Sequence, residues 1–336
     1  MYRPVYEITP EFLRLSSAAA ELKGWVHQAT VNVTWLPSLQ KQTAARLAHA
    51  STSIEGNPLT LLEVEALAQG EPIAAIPKEK QEVLNYLAAM RWVWHKKPKA
   101  PLTEKELLKL HSLLTQKTLP AEKVGRYKKL PNRVVDSKGR TVHTPPPPEQ
   151  AKPLTQQLLS WVNHNTDLHP IVLSAIAHHR LVSIHPFSDG NGRIARALGC
   201  WLLYTRGFDT EHLFALDEYY EHDRQKYYQK IQQARDLDDD LTYWLEYVAK
   251  GIVQTLHQTK ERILSLQISA KAPRLILTHR QENFLRFLRD HGRVKSPQLE
   301  KAFHLTRARV GQILKPLIAA GLVIREGHTR ATTYRL

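Results

Sequence analysis

Apolar residues recur at three- and four-residue spacing over 11–30, 39–54, 79–95, 104–117 and 151–164, which predicts amphipathic helices there. Thr103, with Glu106 three residues on, has capping-box form and sets the start of the fourth. Helical spacing returns over 170–265. Pro-rich breaks fall at 98–101 and at Pro145-Pro146-Pro147-Pro148. The second lacks four N–H donors and reads as a stiff, extended surface segment, neither helix nor central strand. Between Gly125 and His143 the period changes. Arg133-Val134-Val135 and Arg140-Thr141-Val142 flank Asp136-Ser137-Lys138-Gly139, a hairpin pattern. A lone hairpin is marginally stable, so this one must pack on helices or take a strand from another molecule.

After Lys271-Ala272-Pro273-Arg274, which reads as a linker, the pattern starts afresh. Helices are expected over Arg280–Asp290, Ser296–Phe303 and Thr306–Ala320. Ser296 reads as an N-cap, with Pro297 at the first helical position. Leu322-Val323-Ile324-Arg325 and Ala331–Arg335 read as two strands around a turn. Three helices followed by a hairpin is the order of a winged helix-turn-helix.

A chain of 336 residues with 42% hydrophobic and 24% charged residues has an ordinary globular composition, with room for two domains or three. One cysteine, Cys200, permits neither an internal disulfide nor a Cys-based zinc site. Among 17 histidines the densest group, His178, His179 and His185, has no HExxH spacing and reads as ordinary imidazoles. The N-terminus lacks signal-peptide form, and no apolar run approaches the ~20 residues that span a bilayer. A cytoplasmic, soluble protein with no membrane partner is the expectation. The net charge of +15 points instead to a polyanionic partner.

The chemistry concentrates in His185-Pro186-Phe187-Ser188-Asp189-Gly190-Asn191-Gly192-Arg193-Ile194-Ala195-Arg196. Ile194, Leu198, Trp201 and Leu202 share a helical face, so a helix begins near Gly192 and ends before Gly207. Gly190 and Gly192 let backbone N–H groups approach an anion at the positive end of that helix. Arg193 and Arg196 lie on its first turn, and guanidinium suits phosphate. Asp189 is a lone carboxylate suited to Mg²⁺ shared with substrate phosphates. His185 is suited to act as a base near neutral pH.

This string resembles the Fic motif, HPFx[DE]GNGRxxR, at every defined position, and Leu168-His169-Pro170 with Ala177–Val182 resembles the helix before it. The resemblance covers residues 1–260. It implies adenylyl transfer from ATP to a Ser, Thr or Tyr hydroxyl of a target protein. His185 would take the hydroxyl proton, Asp189 would hold Mg²⁺, and Asn191 with the loop amides of Gly190 and Gly192 would fix the α-phosphate. Arg193 and Arg196 would bind the outer phosphates. The hairpin resembles the family's flap, which aligns the target by strand pairing; Arg140, Thr141, Val142 and His143 would border the nucleotide. Tyr227, with Tyr228, resembles the aromatic pair beside the adenine, with Tyr219 and Tyr220 as rivals. Ser51-Thr52-Ser53-Ile54-Glu55-Gly56 resembles the family's inhibitory motif, [ST]xxxE[GN], with Ser51, Glu55 and Gly56 in the defined places. The resemblance then implies that Glu55 occupies Arg196.

Charge divides the chain. Residues 271–336 hold 14 Lys or Arg against four Asp or Glu, a surplus of ten, which leaves five for the other 270. Arg307 and Arg309 open the third helix of this segment, the end that enters a major groove, and Arg325 and Arg330 fall on the wing. DNA is one partner that fits; a protein-docking role for a solvated basic face is the other. The expected fold is mainly α: a Fic helical core with a β-hairpin flap, plus a small C-terminal winged helix-turn-helix domain. Its expected divisions are an N-terminal helical region with the inhibitory helix (1–100), the Fic core (101–265) and the winged helix (274–336). Removal of AMP from targets, a DNA-binding regulator with a nucleotide-sensing core, and a homodimer all stay open.

Overall fold

The computed structural model describes residues 2–30, 33, 35–135, 138–271, 277–327 and 332–336, with only the backbone of 267–271. It divides into two compact units, Met1–Ile263 and Leu264–Leu336. Helices dominate: α1 (Pro10–Ala29), α2 (Leu36–Ile54), α3 (Leu61–Ala68), α4 (Pro77–Trp94), α5 (Glu104–Thr115), α6 (Pro148–His164), α7 (Pro170–Ile184), α8 (Asn191–Thr205), α9 (Leu216–His222), α10 (Arg224–Asp236) and α11 (Thr242–Lys271). Between α5 and α6 lies an antiparallel ribbon of β1 (Val134–Val135) and β2 (Thr141–His143), pairing Val134 with His143 and Val135 with Thr141.

Sequence periodicity places most of these elements within a few residues. The Thr103–Glu106 capping box forms as expected, Glu106 N donating to Thr103 Oγ1 at 3.3 Å and Thr103 N to Glu106 Oε2 at 3.2 Å. Two expectations need correction. Pro148 is helical, because the first helical position needs no N–H donor; Pro147 precedes it in an extended conformation. The short helix α3 goes unread in the sequence; Thr60 caps it, its Oγ1 accepting from Glu63 N at 3.3 Å.

Helices α7 and α8 form the centre of the first unit. Twelve of the fifteen α7 residues are buried, so no amphipathic stripe exists and the helix is packed on all sides. Ser174 Oγ donates to Gly199 O at 2.8 Å, and Trp244 Nε1 donates to Ala175 O at 2.8 Å. One continuous core joins α7 and α8 to α1, α2, α4, α5, α6 and α9–α11. The loop 185–190 therefore joins two helices that are buried along most of their length.

The second unit holds α12 (His279–His291), β3 (Val294–Lys295), α13 (Ser296–Phe303), α14 (Arg307–Ala319), β4 (Ile324–Glu326) and β5 (Thr333–Arg335). Its antiparallel sheet has the order β3-β5-β4 over a core of Phe284, Leu288, Leu299, Val310, Leu314 and Leu317. Strand β3 is too short for a sequence pattern. It moves the cap of α13 to Lys295, so Ser296 is the first helical residue. Arg330, with 328, 329 and 331, lies outside the described residues, as do 272–274 of the expected linker, whose first residue, Lys271, instead ends α11.

Candidate active site

The loop after α7 begins with a left-handed residue. His185 has φ 51° and caps α7, its N–H donating to Leu181 O at 3.0 Å. Its Nδ1 lies 3.3 Å from Val182 O, an acceptor that holds the proton on Nδ1 and leaves Nε2 with a free lone pair. Burial, with Lys128, His143 and Arg235 nearby, lowers the His185 pKa to about 4 against the upward pull of the Val182 contact. The imidazole is therefore neutral, an acceptor at physiological pH.

Asn191 fastens the loop. Its Oδ1 accepts from Phe187 N and its Nδ2 donates to Phe187 O, each at 2.9 Å. Both polar ends of this buried side chain are thus engaged inside the loop, with one amide N–H beyond these two bonds. His111 of α5 supports the same loop. Its Nδ1 accepts from Gly125 N at 3.0 Å, so Nε2 carries the proton and donates to Asp189 O at 3.1 Å. Its ring stacks on Phe187 at 3.9 Å. Asn132 Nδ2 donates to Phe187 O at 3.0 Å, and Lys128 N donates to Pro186 O at 2.9 Å. None of His111, Asn132 or Lys128 stands out in the sequence. The one hint is a histidine on the apolar face of α5.

Gly190 has φ +79°, and a Cβ there would meet Thr115 Cγ2 at 2.9 Å, so only glycine fits. The helix it opens begins at Asn191. Arg193 is buried near Asp189 (3.5 Å) and Glu82 (3.9 Å), yet its Nε and Nη1 have no hydrogen-bond partner among the described residues. Arg196 is also buried, with Nη1 unpartnered. Orphan buried donors on adjacent arginines at a helix N-terminus fit an anion with several oxygens. The Asp189 side chain is 56% exposed, with Oδ1 accepting from Gly190 N at 2.5 Å. No group of three His, Cys, Asp or Glu forms a metal site among the described residues. A cation here would take one protein carboxylate and draw its other ligands from a substrate.

Helix α2 brings the predicted inhibitory residues to this spot. Arg196 Nε donates to Ser51 Oγ and Nη2 to Ser51 O, both at 2.8 Å, and Nη2 donates to Glu55 Oε1 at 2.7 Å. Asp217 stands 4.0 Å from Nε and accepts from Tyr86 OH at 2.7 Å. Burial lowers the Arg196 pKa, but Glu55, Tyr227 and Asp217 outweigh it and hold the pKa well above its ordinary value. A Cβ on Gly192 would run into Glu55 Oε1, so the carboxylate lies directly against the first turn of α8. Gly56, at φ +93°, turns the chain away after α2. Arg224 Nη1 donates to Ser53 O at 2.7 Å and Tyr228 OH to Ile54 O at 3.4 Å. The last carbonyls of α2 are thus capped by side chains.

The flap docks through His143, whose Nε2 meets Ser183 O at 2.9 Å, two residues from His185. Arg140, Thr141 and Val142 are exposed along it. The tyrosines separate. Tyr227 is buried, its OH 2.9 Å from His178 Nε2, with the Arg196 guanidinium 5.9 Å from its ring centre. Tyr228 is 46% exposed and offers the open ring; Tyr220 is buried in the aromatic core. In the second unit Arg307, Arg309 and Arg325 are exposed, and Thr306 caps α14 through Arg309 N at 3.4 Å.

Residues 101–203 match the Fic/DOC family. The chain is 28% identical over 292 residues to a protein adenylyltransferase Fic of Drosophila virilis, covering 82% of this chain and 54% of that one. It is 31% identical over 215 residues to its Drosophila yakuba counterpart, covering 61% and 40%. It spans about half the length of these curated relatives or less. A crystal structure of a Fic family protein from Desulfovibrio desulfuricans G20 superposes with TM-score 0.69 at 26% identity, covering 100% of this chain and 98% of that one. The loop between α7 and α8, its arginines and these likenesses converge on one assignment: residues 101–203 form a Fic domain.

Proposed function

We propose that the chain is a protein adenylyltransferase that moves AMP from ATP to a hydroxyl of a target protein, held in check by Glu55. The observation that carries this reading is a neutral His185 beside a loop and helix start whose two buried arginines each keep at least one nitrogen without an acceptor among the described residues. The target hydroxyl gives its proton to His185 Nε2. Its oxygen bonds to the α-phosphorus, the bond from that phosphorus to the bridging oxygen breaks, and pyrophosphate leaves. Arg193 and Arg196 pair with the outer phosphates, where charge builds on the leaving group. The backbone N–H groups at the start of α8 face the α-phosphate, and Asn191 acts by fixing the loop. Mg²⁺ shared between Asp189 and the nucleotide would neutralise phosphate charge. Tyr228, the open ring of the pair, borders the base. The flap aligns the target segment.

Glu55 competes for Arg196 and takes up space at the helix start, so ATP binds with its α-phosphate out of line. Wild type, Glu55→Gly and His185→Ala incubated with ATP and Mg²⁺ and weighed as intact protein test the reading. A gain of one AMP in Glu55→Gly alone supports it; no gain in any of the three removes it.

The second unit is read as a winged helix whose exposed Arg307 and Arg309 on α14, with Arg325 on β4, fit nucleic acid. The surplus of ten charges in residues 271–336 favours it. DNA affinity that falls steeply from about 50 to 200 mM salt would support it. Binding that is absent or indifferent to salt would favour protein docking.

A further inference from the structure

The flap carries more charge than its size explains. Residues 123–143 hold seven Lys or Arg and one Asp, a surplus of six in 21 residues. Residues 1–270 as a whole have a surplus of five, so the remaining 249 carry a net charge of −1. The basic character of the first 270 residues therefore sits entirely in the flap and its approach. Lys129, Arg133, Lys138 and Arg140 are all exposed there. A ribbon needs no such charge in order to fold, and like charges this dense repel.

The placement is specific. Each ribbon strand pairs only with the other among the described residues, so outer edges stay open to a further strand. Val135 and Val142 are 47% and 41% exposed on it. His143 pins β2 to Ser183, so a segment added along the ribbon runs past His185. Behind the base, Lys128 donates to Asn132 Oδ1 at 2.7 Å, and Arg235 donates to Ser183 Oγ at 3.1 Å. Two further cations thus flank the spot where an acceptor hydroxyl would arrive.

We infer that the flap selects an acidic target: an extended segment with Asp or Glu on both sides of its acceptor hydroxyl, docked as an added strand. This rests on the adenylyltransferase reading for the hydroxyl and the flap's aligning role; the choice of acidic flanks comes from the flap's own charge. Backbone pairing supplies the register, and the cations supply the discrimination against basic segments.

Three labelled peptides of about 12 residues, each with one central Tyr, test it: Glu-flanked, Lys-flanked and Gln-flanked. Their binding to full-length Glu55→Gly protein is followed by fluorescence anisotropy, and AMP transfer to each by mass. The Glu-flanked peptide should bind at least about tenfold tighter than the Lys-flanked one. That preference should shrink between about 50 and 200 mM salt. It should vanish in Lys129→Glu/Arg133→Glu, with an unchanged thermal melt showing that this variant folds. Equal binding of the three peptides, or binding of none at millimolar concentration, overturns the inference. So does a DNA duplex whose affinity drops in the same double variant, which would assign the flap to nucleic acid. Self-labelling with ATP is scored separately. Its absence alongside an intact Glu preference would sink the enzymatic reading and leave the docking; its presence without the preference would do the reverse.

Discussion

Removing the Glu55 carboxylate should tighten ATP binding by about tenfold. Arg196 has three short acceptor contacts: Ser51 Oγ, Ser51 O and Glu55 Oε1. Glu55→Ala deletes only the last and leaves Arg196 anchored, with Asp217 still 4.0 Å away. A hydrogen bond to a charged group contributes about 1.5–3 kcal/mol. The Glu55 side chain is 34% exposed, so solvent screening reduces this to roughly 1–1.5 kcal/mol. At about 1.4 kcal/mol per tenfold, releasing Arg196 from that contact gives the expected gain. Alanine is the cleaner substitution for energetics, because glycine adds up to about 1 kcal/mol of backbone entropy at the end of α2. Titration calorimetry with ATP on wild type and Glu55→Ala, in a His185→Ala background that blocks turnover, measures the gain. Intact mass of the two proteins with His185 restored measures transfer. If neither ATP affinity nor self-modification changes, Glu55 is not in competition with nucleotide. A rise in transfer at constant affinity would locate the brake in the alignment of the α-phosphate.

Gly192→Ala places a methyl where Glu55 Oε1 now rests. It should displace the carboxylate and mimic part of the Glu55→Ala gain in ATP affinity; weaker binding than wild type would mean the methyl obstructs the nucleotide instead. Asn191→Leu removes both side-chain bonds to Phe187, with an expected loss of about 2–4 kcal/mol in urea unfolding and of AMP transfer. His111, His179 and His185 all have pKa values lowered to about 4, chiefly by burial. Each binds its proton in the unfolded chain near pH 6.5 and in the folded one only near 4. Stability should fall as pH drops through that window, by up to about 1.4 kcal/mol per pH unit for each histidine. A urea midpoint constant from pH 7 to 4 would contradict this. His185 remains a neutral base across neutral pH, so AMP transfer should show no acidic limb above about pH 5.5 from this group.

The sequence displayed the motif because its functional groups are contiguous: base, carboxylate, glycines and arginines fall within twelve residues. Helix starts were legible where a period ran behind them, as at Thr103 and Thr306, but not at Thr60, whose cap opens a helix too short to show a period. What stayed hidden acts across the fold. His111 lies 78 residues before the Asp189 carbonyl it supports, and Asn132 lies 55 before Phe187. Asp217, the second carboxylate near Arg196, reads as an acid in the first turn of a short helix. Asn191 was legible as a site residue, but its task was not. Its two bonds to Phe187, which close the loop, appear only in the folded chain. The ribbon could be read as a hairpin, whereas its attachment through His143 to the end of α7 has no local signature.

On the proposed reading, the capped end of α2 would also report on bound nucleotide. Arg196 holds both the Ser51 carbonyl and the Glu55 carboxylate, so the order of that last turn and the freedom of the arginine are one equilibrium. Linkage is reciprocal: by whatever factor a docked α2 terminus weakens nucleotide, bound nucleotide must weaken that docking. If Glu55 competes with nucleotide as proposed, residues 51–56 would be a built-in gauge of occupancy. Their backbone amides should exchange hydrogen faster as ATP fills the site, and any protein that clasps this turn would regulate catalysis without touching the pocket.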